Sequence, residues 1–173
     1  SGELGYEIYV DTQYLSALLA AVARVSGEFG ALNIGMYALN SLRLEKCFGI
    51  WSREYSRDYT ARMSGLDRFV DYGKADFIGR EAALDDRART PGQRLVTLAV
   101  EATDADASGY EPIWSGPKRV GFVTSGGYGH CAELSLAMGY VQASVTDEQE
   151  DLSVTILGER RKCRILQCAP VDP

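Results

Sequence analysis

The apolar pattern of this chain changes period at one place. Before Thr90, apolar residues recur at helical spacing; after Gln93 they alternate. Between them "TPGQ", Thr90 to Gln93, is a turn and the clearest boundary in the sequence. The change predicts an α+β fold in two parts. Residues 1–90 form a sheet-and-helix domain and residues 93–173 a small antiparallel β-barrel or sandwich.

On the helical side, "TQYLSALLAAVARV" places Leu15, Leu18, Leu19 and Val22 on one stripe. Asp11 or Thr12 can cap it, and Gly27 and Gly30 end it. A second helix, "MYALNSLRLEKCF", lies between Gly35 and Gly49, and a third, "DFIGREAALDDRAR", has Asp76 as its cap. Ahead of these, "SGELGYEIYV" reads as a strand with Leu4, Tyr6, Ile8 and Val10 toward a core and Glu3, Glu7 and Tyr9 on the other face. The segment "IWSREYSRDYTARMSGLDRFVDYGKADF" is a long irregular connection, the kind that often carries function.

On the alternating side, "RLVTLAVEA", "ELSLAMGYVQA" and "LSVTILGERRKCRILQC" read as strands, the last as a hairpin turning at "GERR". Leu134, Leu136, Met138 and Tyr140 share one face, as do Leu152, Val154 and Ile156. "TSGGYGH" lacks the spacing of a phosphate-binding loop and precedes a strand, so it reads as a hairpin turn.

A net charge of -6 opposes nonspecific nucleic-acid binding, which needs a basic footprint, although one local Arg can still hold an anion. No apolar run is long enough to span a bilayer. The missing Met and abrupt start suggest a cleaved chain or a fragment. Cys47, Cys131, Cys163 and Cys168 form no C-x-x-C pair and read as small core residues in a reducing compartment. His130 is the single histidine, which leaves little for a metal site or a catalytic triad.

Three residues stand out as candidates for a site. Arg43 is surrounded on its helical wheel by Met36, Leu39 and Cys47, so it is expected to be buried and to need a carboxylate. That carboxylate comes from a neighbouring segment or from a ligand; Glu45, two positions away, cannot supply it. Glu7 is either a wet strand residue or a partner for a ligand edge with adjacent N–H donors. Trp51, directly after the second helix, either fills the core or stacks on a flat ring.

Four stretches in order, "SGELGYEIYV", "ALNSLRLEKCFGIWSREYS", "SGLDRFVDYGKADFIGREA" and "RVGFVTSGGYG…LSLAMGYV", resemble the aminomethyltransferase family. Its type member is the T-protein of the glycine cleavage system. The resemblance is stronger to the folate-binding region of dimethylglycine and sarcosine dehydrogenases. It implies a tetrahydrofolate site, with Glu7 on the amino-pyrimidine edge of the pterin. It implies that Arg43 meets the carboxylate of the glutamyl tail, which would supply the missing counter-ion. Trp51 lines the cavity where relatives usually carry Tyr. The implied activity is one-carbon transfer from a small methylamine-type substrate to folate. The family's catalytic Asp falls ahead of Ser1, so the resemblance implies no catalytic residue within this chain, and the N-terminal remainder of the same protein as a partner. Any flavin would bind outside it. The expected compartment is the cytoplasm, or the mitochondrial matrix in a eukaryote. The alternatives are a folate-binding or scaffold relative without turnover, and a demethylase acting on another methyl donor.

Overall fold

The structure, a computed structural model, describes residues 3–172. Helix α1 spans Leu15–Ser26, α2 Met36–Glu45 and α3 Arg80–Ala88. Strands β1 (Gln93–Val100), β2 (Pro112–Ser115), β3 (Lys118–Gly129), β4 (Leu134–Gln142), β5 (Leu152–Ile156) and β6 (Glu159–Ile165) follow. They close into an antiparallel barrel in the order β1-β4-β3-β2-β5-β6, with β6 returning to β1. Closure removes free strand edges.

The alternating residues build the barrel interior. Leu98, Ile113, Val123, Ala137, Val141, Leu152, Val154 and Ile156 are almost wholly removed from water and form one cluster. Leu152, Val154 and Ile156 share a face as the alternation predicts. The hairpin turns at Leu157 and Gly158, one step ahead of the expected "GERR". Both have positive φ, 50° and 87°, the sign a two-residue hairpin turn requires.

Strand β4 is buried on both faces. Ala137 and Val141 point into the barrel, while Leu136 and Met138 point out and pack with Leu44 of α2. The barrel thus carries a second apolar layer on its outer surface, and α2 closes it.

The glycine-rich segment is not a turn. β3 runs through Gly126, Gly127 and Gly129, and the turn falls at residues 130–133. The glycines are there for close approach. A Cβ on Gly126 would lie 2.1 Å from the Ala107 carbonyl oxygen, and one on Gly129 would lie 2.9 Å from Glu45 Cγ.

The opening segment departs from expectation. No strand forms before β1 among the described residues, and Leu4, Tyr6, Ile8 and Tyr9 are exposed. Ser1 and Gly2 of that motif lie outside the described residues. Helix α1 forms where its stripe predicts, yet none of its residues is buried. Alternation needs a partner strand and a stripe needs a facing surface, and neither is present here. Helix α3 starts at Gly79, whose φ of 87° marks the entry, and not at Asp76.

The cysteines divide. Cys163 is buried in the barrel and burial, with Glu101 adding to it, pushes its thiol up to about 12. Cys131 and Cys168 are exposed, contrary to the expectation of core residues. A thiol reagent at neutral pH should modify Cys131 and Cys168 in the native protein and Cys163 only in denaturant. Mass spectrometry of labelled peptides checks this, and labelling of native Cys163 would contradict the barrel packing.

Candidate functional site

Helix α2 docks on the barrel through polar groups. Asn40 Nδ2 donates to the Gly126 carbonyl at 3.1 Å, and Ser41 Oγ donates to the Tyr128 carbonyl at 2.7 Å. Glu45, 1% exposed, accepts the backbone N–H groups of Cys131 at 2.6 Å and Ala132 at 2.9 Å on one oxygen. Two helix residues thus meet β3 carbonyls, and Glu45 caps the turn that follows. Buried polar groups are tolerated when they are bonded in this way.

Arg43 projects from the same helix into the seam and is 5% exposed. Its counter-ion belongs to the chain. Glu54 Oε2 lies 3.2 Å from Arg43 Nη1, and the Glu54 side chain is fully buried. Of the two sources of carboxylate open from the sequence, the neighbouring segment is the one observed. Arg43 also donates to Asn40 Oδ1, at 3.1 Å from Nε and 2.7 Å from Nη2, and to the Phe48 carbonyl at 3.2 Å. Of the apolar residues expected around it, Met36 is exposed while Leu39 and Cys47 are half-buried; Met138 of the barrel packs against the guanidinium.

Glu54 is bonded at both oxygens. Oε1 accepts Thr124 Oγ1 at 2.5 Å and Ser125 Oγ at 2.6 Å; Oε2 accepts the Ile50 N–H at 2.8 Å as well as Arg43. Consecutive strand residues normally face opposite ways. A break in the β3–β4 register between Val123 and Ser125 lets both hydroxyls reach one carboxylate. Burial alone would raise the Glu54 carboxyl, but the bonds from Ser125, Thr124 and Ile50 and the Arg43 charge more than offset it and leave it below its ordinary 4.5. Burial lowers Arg43, with Glu54 opposing and the Arg53 charge adding to the fall.

Close by, Tyr140 Oη donates to the Glu54 carbonyl at 2.8 Å, lies 2.7 Å from Ser64 Oγ, and its ring stacks on Tyr59 at 3.7 Å. Burial pushes the Tyr140 hydroxyl up to about 12, with the Ser64 bond opposing. Sequence reasoning named Tyr140 only as one residue of a strand face and did not name Glu54. The signal for Glu54 was an acidic residue a short irregular step after the helix that holds Arg43.

Trp51 stands at the base of the turn at residues 52–54, in an isolated bridge with Tyr55, and is 78% exposed. Glu7 is exposed and accepts a hydrogen bond from Tyr9 Oη at 2.5 Å on Oε2. The structure places Glu7 in solvent and Arg43 in the seam, so it does not bring the two into one cavity. A groove of about 1190 Å³ lies between the connection at Ser52–Met63 and the barrel, and none of Glu7, Arg43 or Trp51 lines it. No cluster of metal-ligating side chains occurs among the described residues, and no helix there is long and apolar enough to cross a membrane.

This arrangement, a helix-and-loop segment bonded onto a six-stranded barrel, matches known proteins. Residues 1–74 match the family model for the GCVT N-terminal domain, and residues 93–172 match that for the glycine cleavage T-protein C-terminal barrel domain. The chain belongs to the glycine cleavage T-protein, or aminomethyltransferase, family. Human mitochondrial dimethylglycine dehydrogenase is 38% identical over 96% of this chain and 19% of its own length. The aminomethyltransferase of Desulfitobacterium hafniense is 30% identical over 96% of this chain and 45% of its own. The mouse mitochondrial pyruvate dehydrogenase phosphatase regulatory subunit is 32% identical over 90% of this chain and 18% of its own. The crystal structure of aminomethyltransferase T from Bartonella henselae superposes with a TM-score of 0.81 at 25% identity, over 91% of this chain and 44% of that one. The chain thus spans less than half the length of these relatives. The family includes enzymes, the aminomethyltransferases and dimethylglycine dehydrogenases among them. Its barrel, and the α+β fold expected from the sequence, are those of the family.

Proposed function

We propose that this chain binds a reduced folate and serves tetrahydrofolate-dependent one-carbon transfer from a small methylamine-type substrate. The observation that carries the reading is Trp51, a large ring held at the base of a short turn by a bridge to Tyr55, with its surface open to solvent. An exposed aromatic fixed in this way offers a stacking platform for a flat heterocycle. Glu7 keeps Oε1 free of any bond among the described residues and can accept paired N–H donors from an amino-pyrimidine edge. Glu7 and Trp51 therefore fit the cofactor; Arg43, already bonded within the chain, does not fit its glutamyl tail as a free cation. Bound folate would supply the nitrogen that accepts the one-carbon unit. The chain's own groups hold and orient that ligand.

We further propose that a segment of the kind that fills the rest of the relatives' length covers the apolar residues Leu4, Tyr6, Ile8, Leu15, Leu19 and Val22. Their exposure supports this, because a run of exposed apolar side chains marks a surface meant for contact. That segment would supply the cavity walls that Glu7 and Trp51, both exposed in this structure, lack.

Calorimetric titration of the intact protein with 5-formyltetrahydrofolate tests the reading. Binding is expected, with Glu7→Ala and Trp51→Ala each weakening it about tenfold. Absence of binding by the wild-type protein would overturn it. A second reading, folate binding or scaffolding without turnover, is favoured by the relative named as a regulatory subunit. Binding with no one-carbon transfer from any of a panel of N-methylated amines would select that second reading.

A further inference from the structure

We infer that Arg43 and Glu54 are positioning residues that clamp the turn presenting Trp51, and so set the pose of the folate-stacking ring. This rests on the folate reading above and goes beyond it by naming what holds the ring in place.

The Trp51 side chain is exposed, so its position comes from its backbone. That backbone is held at both ends by one ion pair. Arg43 Nη1 donates to the Phe48 carbonyl at 3.2 Å, where the turn begins, and to Glu54 at 3.2 Å, where it closes. Glu54 then reaches back to accept the Ile50 N–H at 2.8 Å, the peptide just ahead of Trp51. Its own carbonyl accepts Tyr140 Oη at 2.8 Å, which ties the turn to β4. Ser52 follows Trp51 with φ 71°, a left-handed geometry that a serine holds only when its surroundings impose it. Thr124 and Ser125 complete the shell of the carboxylate from the register break in β3. The barrel therefore dictates where the ring sits, through a buried carboxylate and not through contact with the ring.

The experiment uses the full chain in a Trp114→Phe background, which leaves Trp51 as the single tryptophan. Fluorescence anisotropy and acrylamide quenching of Trp51 are read without ligand, and 5-formyltetrahydrofolate is then titrated. Glu54→Gln keeps the shape and removes the charge. The expected result is lower anisotropy, stronger quenching and a folate Kd raised about tenfold, with the barrel still folded by circular dichroism. Ile156→Ala, in the barrel interior, is expected to lower Tm while leaving the Trp51 readings and the Kd unchanged. Unchanged anisotropy and quenching in Glu54→Gln would overturn the clamp. If Glu54→Gln fails to fold, Ser125→Ala removes one bond to the carboxylate and leaves the ion pair; it is expected to move the same readings to a smaller extent, and no movement would again overturn the clamp. A wild-type chain that binds no folate overturns the folate reading, while the unliganded Trp51 measurements still decide the clamp.

Discussion

Glu54→Ala is expected to destabilise the protein by about 3–5 kcal/mol, the range for removing one partner of a buried ion pair. The loss of attraction is the smaller part. Arg43 is left charged at 5% exposure, and the Ser125 hydroxyl and the Ile50 N–H lose their acceptor, while the Thr124 hydroxyl keeps the Met138 carbonyl at 3.1 Å. Burial already lowers Arg43 with Glu54 opposing it, and Glu54→Ala removes that opposition. The double variant Arg43→Met with Glu54→Gln should recover part of the loss, because it removes the charge along with its partner and keeps an amide oxygen as acceptor. Urea unfolding of the three proteins checks the order, and a double variant no more stable than Glu54→Ala would contradict it. The same pair sets a pH dependence. Glu54 lies below its ordinary 4.5 when folded. Its stabilisation is therefore full above the ordinary carboxylate range and is lost as pH falls through the depressed folded value. Glu54→Gln should lack that acid-side loss.

Gly126→Ala is expected to cost about 3 kcal/mol or more. The added methyl would lie 2.1 Å from the Ala107 carbonyl oxygen and 2.7 Å from its carbon, so the loop ahead of β2 must move away from β3. Ala107 is 4% exposed and packs in the barrel cluster, so that movement opens the interior. At roughly 4–8 °C per kcal/mol for a domain of this size, the barrel transition should fall by more than about 10 °C. Gly92→Ala, with nothing within 4 Å of the new methyl, should leave Tm almost unchanged. Calorimetry of both variants checks the contrast; equal Tm values would show that the Gly126 approach is not as close as described.

The barrel was legible in the sequence because alternation reports directly on a two-faced strand. Leu152, Val154 and Ile156 were assigned one face and occupy one. The Gly-rich stretch was misread as a turn because glycine signals two things, positive φ and close approach. At Gly126 and Gly129 only the second applies, and the partners responsible, Ala107 and Glu45, are distant in sequence. Helix α1 was legible as a helix, but its apolar stripe finds no facing surface among the described residues.

The candidate site divides along the same line. The residues of this chain by themselves determined that Arg43 would be buried and would require a carboxylate, that Trp51 would follow the helix directly, and that an alternating second half would close into an antiparallel structure. Those are local or periodic properties, fixed by spacing along one element. Tertiary structure alone decided that the carboxylate is Glu54, that Thr124 and Ser125 share it, and that Trp51 faces water at the base of a short turn. These depend on a register break in β3 meeting a loop residue about 70 positions earlier in the chain. No periodicity encodes such a meeting, because it exists only once the barrel has closed.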